Sequence, residues 1–152
     1  MKRTDDGIRL SATDLAHHLA CRHLTHLELE AAAGRIQTPR WRDPALEILE
    51  ARGLRHERAY LEHLGAQGLT ITDLRAAGEP NDAAARTRAA MQGGANVIVQ
   101  ATLAQGRWLG RADVLLRVDR ASELGAWSYE VVDTKLARET RAGTILQLCL
   151  YS

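Results

Sequence analysis

Phenylalanine is absent from the 152 residues, and aromatic side chains make up only 4% of them. The core must therefore be built mostly from Leu, Val, Ala and Ile, whose removal from water is the main favourable term in folding. Cysteine is scarce as well, with Cys21 and Cys149 the two present. They fall in separate predicted helices and form no local metal-binding pair, and a disulfide is not expected in a reducing compartment. No window holds the roughly 18 apolar residues that a membrane crossing needs. The segment from Met1 to Gly7 is not followed by the apolar core of a signal peptide, so the expected compartment is the cytoplasm, with no membrane partner. An excess of one charge is also missing: 20 basic against 19 acidic residues leave +1. That balance excludes a protein that coats nucleic acid through its overall charge, and any contact with DNA or RNA must be local.

What is present suits one domain spanning residues 1–152, with 45% hydrophobic content in a chain long enough for a single core. Ser11-Ala12-Thr13-Asp14 has capping-box spacing and opens a helix with Leu15, Leu19, Leu24, Leu27 and Ala31 as its stripe, closed near Gly34. Asp43-Pro44 predicts a second helix. Its positions Leu46, Leu49, Gly53, His56, Tyr60 and Leu64 step by three and four, which turns His56 toward the core. A short strand is expected over 69–74 and an Ala-rich helix from about Asp82 to Met91, stopped by Gly93-Gly94. Then come a buried strand from Asn96 to Leu103, its hairpin partner from Arg107 to Val118, and a third strand from Trp127 to Thr134. The spacing predicts a three-stranded antiparallel meander followed by a helix from Thr140 to Ser152 with no terminating signal. The chain is thus read as α+β, with an incomplete core, as the amino-terminal portion of a longer protein.

Chemistry concentrates between Gly110 and Lys135. Ionisable side chains inside strands cost free energy unless paired or bound to a cation. Asp133 and Lys135 project from one face of the third strand because side chains alternate, and pairing with the second strand can bring Asp113 alongside. Two carboxylates with the Thr134 carbonyl would offer hard oxygen ligands suited to Mg²⁺.

Asp113 followed by Asp133-Thr134-Lys135 resembles the D…(D/E)xK signature of the PD-(D/E)XK nucleases, and Gln147-Leu148-Cys149-Leu150-Tyr151 resembles the QxxxY element of their RecB-like branch. The resemblance implies a restriction-endonuclease-like αβββα core and a metal-dependent nuclease acting on DNA, at ends or on single strands, in repair, recombination or defence. It implies Asp113 and Asp133 as holders of Mg²⁺ or Mn²⁺, Lys135 as the group assisting the attacking water, and His56 as a further metal ligand. Gln147 and Tyr151 would border the nucleic acid, and a helicase domain or partner is a further expectation. Arg111, Arg117, Arg138 and Arg141 near the site are candidates for gripping phosphates, Arg111 foremost. Cys21 resembles the amino-terminal ligand of RecB-like nucleases that carry a [4Fe-4S] cluster. One thiolate cannot hold such a cluster, so it is expected in a full-length parent only. His17, His18, His23, His26 and His63 read as surface or interface residues. The alternative from another class is a non-catalytic nucleic-acid-binding or scaffold module of the same fold.

Overall fold

The computed structural model describes residues 1–5, 7–39, 44–76, 78–134 and 141–152. Among them the chain is α+β, with five helices, a two-stranded sheet and a four-stranded sheet. The elements run β1 (Lys2–Thr4), β2 (Gly7–Arg9), α1 (Ala12–Ala20), α2 (Arg22–Ala32), α3 (Pro44–Ala66), β3 (Ile71–Asp73), α4 (Pro80–Gln92), β4 (Val97–Gln105), β5 (Trp108–Val118), β6 (Ser128–Val132) and α5 (Ala142–Tyr151). None of the helices is long and apolar enough to cross a membrane.

The main sheet has the order β3-β4-β5-β6. β4 pairs antiparallel with β5, and β5 with β6, while β3 lies parallel to β4. The expected set of three strands is therefore corrected to four, because Ile71-Thr72-Asp73 pairs with Val97-Ile98-Val99. β4 and β5 carry the centre of the core: Val97, Ile98, Val99 and Val114 are fully buried and Leu115 is nearly so. Each such side chain contributes about 2 kcal/mol by leaving water. Leu64, Leu61 and Tyr60 of α3 pack with Val97, Val99 and Val114. Ile98 and Leu115 cluster instead with Ala83, Ala90 and Met91 of α4.

Two local devices fix α4. β3 stops at Asp73, leaving the β4 edge uncovered beyond it, and the Thr102 N–H there donates to Thr87 Oγ1 (2.9 Å), whose hydroxyl donates to the Ala83 carbonyl (3.0 Å). At the other end Trp127 Nε1 donates to the Met91 carbonyl (3.0 Å), Arg117 Nη1 to the Gly94 carbonyl (3.1 Å) and Tyr129 to the Ala95 carbonyl (2.8 Å). Arg117 also lies over the Trp127 ring at 4.9 Å. A cation and two donors thus hold the carbonyls at and just beyond the end of the helix, and Arg117 belongs to this structural cap.

The amino-terminal helix differs from its expectation. Cys21 is extended (φ −159°, ψ 108°) and ends α1 while starting α2, so it sits at a break and is exposed. The capping box itself forms: Ser11 N and Oγ donate to Asp14 Oδ2 at 2.7 and 2.8 Å, and the Asp14 N–H donates back to Ser11 Oγ at 3.4 Å. The Met1 ammonium completes the shell on Asp14 Oδ1 at 2.5 Å. His17 pairs with Glu28 across the α1–α2 turn (2.6 Å), a bond between helices.

The inward turn expected of His56 is also corrected, since His56 is exposed. Leu46 and Leu49, assigned to the same stripe, are 51% and 53% exposed. Only the carboxyl-terminal half of α3 reaches the sheet. There the inward phase is Glu57, Tyr60, Leu61 and Leu64, so Glu57 rather than His56 lies over the core.

Candidate active site

β5 and β6 position the site. Val114 pairs with Val132, so the next step along the ladder sets Asp113 beside Asp133. Asp113 Oδ2 accepts the backbone N–H of Thr134 at 3.3 Å. The carboxyl groups of Asp113 and Asp133 are close enough to act directly on each other. Burial and the neighbouring Asp133 carboxyl group together push Asp113 up from 3.8 to about 6, against the lowering effect of the Thr134 N–H.

Glu57 adds to the negative charge felt by Asp113. Its side chain is 11% exposed and accepts from the Arg75 guanidinium at 2.8 Å and from Gln100 Nε2 at 3.4 Å. Arg75 also reaches Asp73 at 3.4 Å. Gln100 falls opposite Asp113 in the β4–β5 register, between the pairs Val99–Val114 and Ala101–Ala112. It has φ +56°, and among the described residues no other non-glycine residue has positive φ. Such a conformation costs on the order of 1 kcal/mol and persists only where neighbours enforce it. Neither Glu57 nor Gln100 stands out in the sequence. Glu57 could have been found from the i, i+4, i+7 spacing to Leu61 and Leu64, whereas nothing in a lone glutamine between strand residues signals left-handed backbone.

The last helix closes the site from another side. Tyr151 is half-buried, with its phenol near the Arg111 backbone. Burial and the two aspartates push the phenol above its ordinary value, so the hydroxyl keeps its proton. The ring occupies the space a side chain would need at Gly110: a Cβ there would stand 2.7 Å from the phenol oxygen and closer still to the ring. Gly110 is thus the notch that seats α5 on β5, a role its place before Arg111-Ala112-Asp113 does not by itself reveal. Arg111, Gln147 and Tyr151 line an open cleft of about 360 Å³. Arg141 is exposed and lines an adjoining cleft with Gln147.

Of the residues expected from the sequence, Asp113, Asp133, Thr134 and Tyr151 come together, with Gln147 and Arg111 along the cleft. His56 is exposed, and the inward residue beside it is Glu57. Lys135 and Arg138 lie outside the described residues. Thr134 meets Asp113 through its N–H. Among the described residues no three His, Cys, Asp or Glu side chains are grouped closely enough to hold a metal ion. The Asp113–Asp133 pair nevertheless suits a cation chemically, because two mutually repelling carboxyl groups on adjacent strands offer hard oxygen ligands that a divalent ion neutralises. Compared with known proteins, the chain matches no family model, no curated protein and no solved structure.

Proposed function

We propose that the chain is a metal-dependent nuclease domain of the RecB-like PD-(D/E)XK type, hydrolysing phosphodiester bonds in DNA. The observation that carries this reading is the carboxyl pair: Asp113 and Asp133 meet across adjacent strands, with Asp113 raised to about 6 by burial and by its partner. A purely structural pair of this kind destabilises the fold at neutral pH, whereas a pair that binds a cation is stabilised by it. Mg²⁺ or Mn²⁺, held by Asp113 and Asp133, would supply Lewis-acid polarisation of the phosphate and a more acidic water.

The protein's own groups then have definite tasks. The Thr134 N–H keeps Asp113 oriented toward Asp133. Glu57, fixed by Arg75 and Gln100, keeps the local field negative and so favours a cation over a proton-free, ion-free pair. Lys135, by resemblance, takes the proton from the attacking water and offsets charge on the phosphate. Tyr151 keeps α5 against β5, which holds Gln147 and Arg111 along the same cleft. The cluster expectation for Cys21 stays with the resemblance alone.

The test is substitution. Asp113→Ala, Asp133→Ala and Lys135→Ala should each reduce cleavage of end-labelled DNA in Mg²⁺ or Mn²⁺ by at least about a thousandfold while leaving the far-ultraviolet circular dichroism unchanged. Calorimetric titration should show Mn²⁺ binding to the parent chain and not to Asp113→Ala. Undiminished cleavage in these variants rejects the assignment. Binding of DNA without any cleavage by the unaltered chain favours the scaffold-module reading instead.

A further inference from the structure

We propose that a single-stranded nucleic acid approaches the Asp113–Asp133 pair along a basic furrow that begins at the β1–β2 hairpin; this rests on the nuclease reading above and names the path its substrate takes. Three clefts run into one another. The first, of about 200 Å³, is bordered by Lys2 and Arg9 and shares Ser11, Pro80 and Leu109 with the second, of about 360 Å³, where Arg111 and Tyr151 stand. The second shares Thr13 and Gln147 with the third, of about 330 Å³, where Arg141 stands. Arg111 connects this course to the chemistry, since it lines the second cleft and precedes Asp113 by two residues on β5.

The charge along the furrow is one-sided in a chain whose total is only +1. Among the described residues, the one carboxylate lining it, Asp14, is 5% exposed and neutralised by the Met1 ammonium. Among the described residues, none of Lys2, Arg9, Arg111 and Arg141 has an acidic partner, whereas Arg35 and Arg75 do. Arg9 donates to the neutral Asn81 Oδ1 at 3.1 Å. Lys2 and Arg9 are also directly opposed in the antiparallel β1–β2 pair. Like charges in that position repel, and an anion laid across them removes the penalty. The amino-terminal end of α1 does not supply this field, because Ser11 and Asp14 already cap it. Side-chain cations do. An unpaired strand, unlike a duplex, offers bases to the partly exposed rings of Trp108 and Tyr151.

The experiment is fluorescence anisotropy with a labelled twenty-nucleotide oligothymidylate in EDTA, where binding is read without cleavage. The double variant Lys2→Glu, Arg9→Glu should bind at least about tenfold more weakly, and the slope of log Kd against log salt should fall by about 0.7 for each phosphate that is no longer neutralised. A hairpin duplex of the same length should bind the parent chain more weakly than the single strand. Lys2→Gln, Arg9→Gln should show a smaller loss in the same direction with an unchanged or higher Tm, because it removes a repulsive pair. Unchanged affinity and salt slope in the reversal variant, preference for the duplex, or a Tm fall in the neutral variant overturns the furrow. Cleavage that persists alongside unchanged binding in the reversal variant ends the furrow and leaves the nuclease reading. Binding that follows the expectations, with no cleavage by the parent chain in Mg²⁺ or Mn²⁺, supports the furrow and ends the nuclease reading.

Discussion

Two aspartates are drawn inside this small chain, and their surroundings move them in opposite directions. Burial raises Asp14, but the Met1 ammonium and the Ser11 hydroxyl and N–H outweigh it, and its carboxyl lies below the ordinary value. Burial raises Asp113 as well, and there the largest neighbour is a second carboxyl group, so the value climbs to about 6. The first site is complete without any further ligand. The second sets two carboxyl groups against each other and is destabilised when both are charged. A buried acid ringed by donors is holding the fold together, whereas one facing another acid is held against its own repulsion, the kind of perturbation that clusters at functional sites.

The largest stability effect expected from breaking this contrast is at the satisfied site. Asp14→Ala strips the partner from a buried ammonium and from the Ser11 N–H, and should lower stability by about 3 kcal/mol in urea unfolding. The same shift gives a pH signature. Because the folded-state value of Asp14 is depressed, its contribution is present above the unfolded value of 3.8 and is lost as pH falls through the lower folded one. Stability that does not change in Asp14→Ala contradicts the structural role.

Asp113 should behave in the reverse sense. Between about 3.8 and 6 the folded chain binds more protons at this site than the unfolded chain, so ion-free stability falls as pH rises through that window and is level above it. Asp113→Asn removes the effect, and its amide can still donate to Asp133. In EDTA at pH 7.5 the variant should therefore be more stable than the parent by about 2 kcal/mol, with the difference vanishing near pH 4. Saturating Mg²⁺ should close the gap from the parent's side. A variant less stable than the parent at pH 7.5 in EDTA would show that the pair is not in repulsion.

Gly110→Ala tests how the second site is seated. The new Cβ meets the Tyr151 ring, so α5 must shift, and destabilisation of about 1–2 kcal/mol is expected from overpacking. The double variant with Tyr151→Ala should recover most of that loss, since the notch is then empty. Additive losses in the double variant would place the strain elsewhere.

The strands and the acid pair were legible in the sequence for a physical reason. β-branched runs with period-two alternation fix which side chains share a face, and Asp113 and Asp133 are in register with Val114 and Val132. Other features were not. Residues on both sides of Cys21 are good helix formers, so the break that separates α1 from α2 has no compositional mark. β1 and β2 are only three residues each and depend on their pairing rather than on a pattern. In α3 the apolar positions run past the sheet edge, which blurs the phase by one residue and favours His56 over Glu57. The Gln100 kink arises from tertiary surroundings alone.

That one-residue phase difference yields the smallest expected effect and the most direct reading of the acid pair. Glu57 raises Asp113 through space, so Glu57→Gln should lower the midpoint at which Asp113 titrates, followed by carbon-13 chemical shifts of the carboxyl groups in EDTA. His56→Gln, on the exposed side of the same helix, should leave that midpoint in place and change stability by less than about 0.5 kcal/mol. The two residues are adjacent on one helix, so general effects of helix packing act on both. A midpoint that moves with His56 and not with Glu57 would return the histidine to the site and remove Glu57 from it.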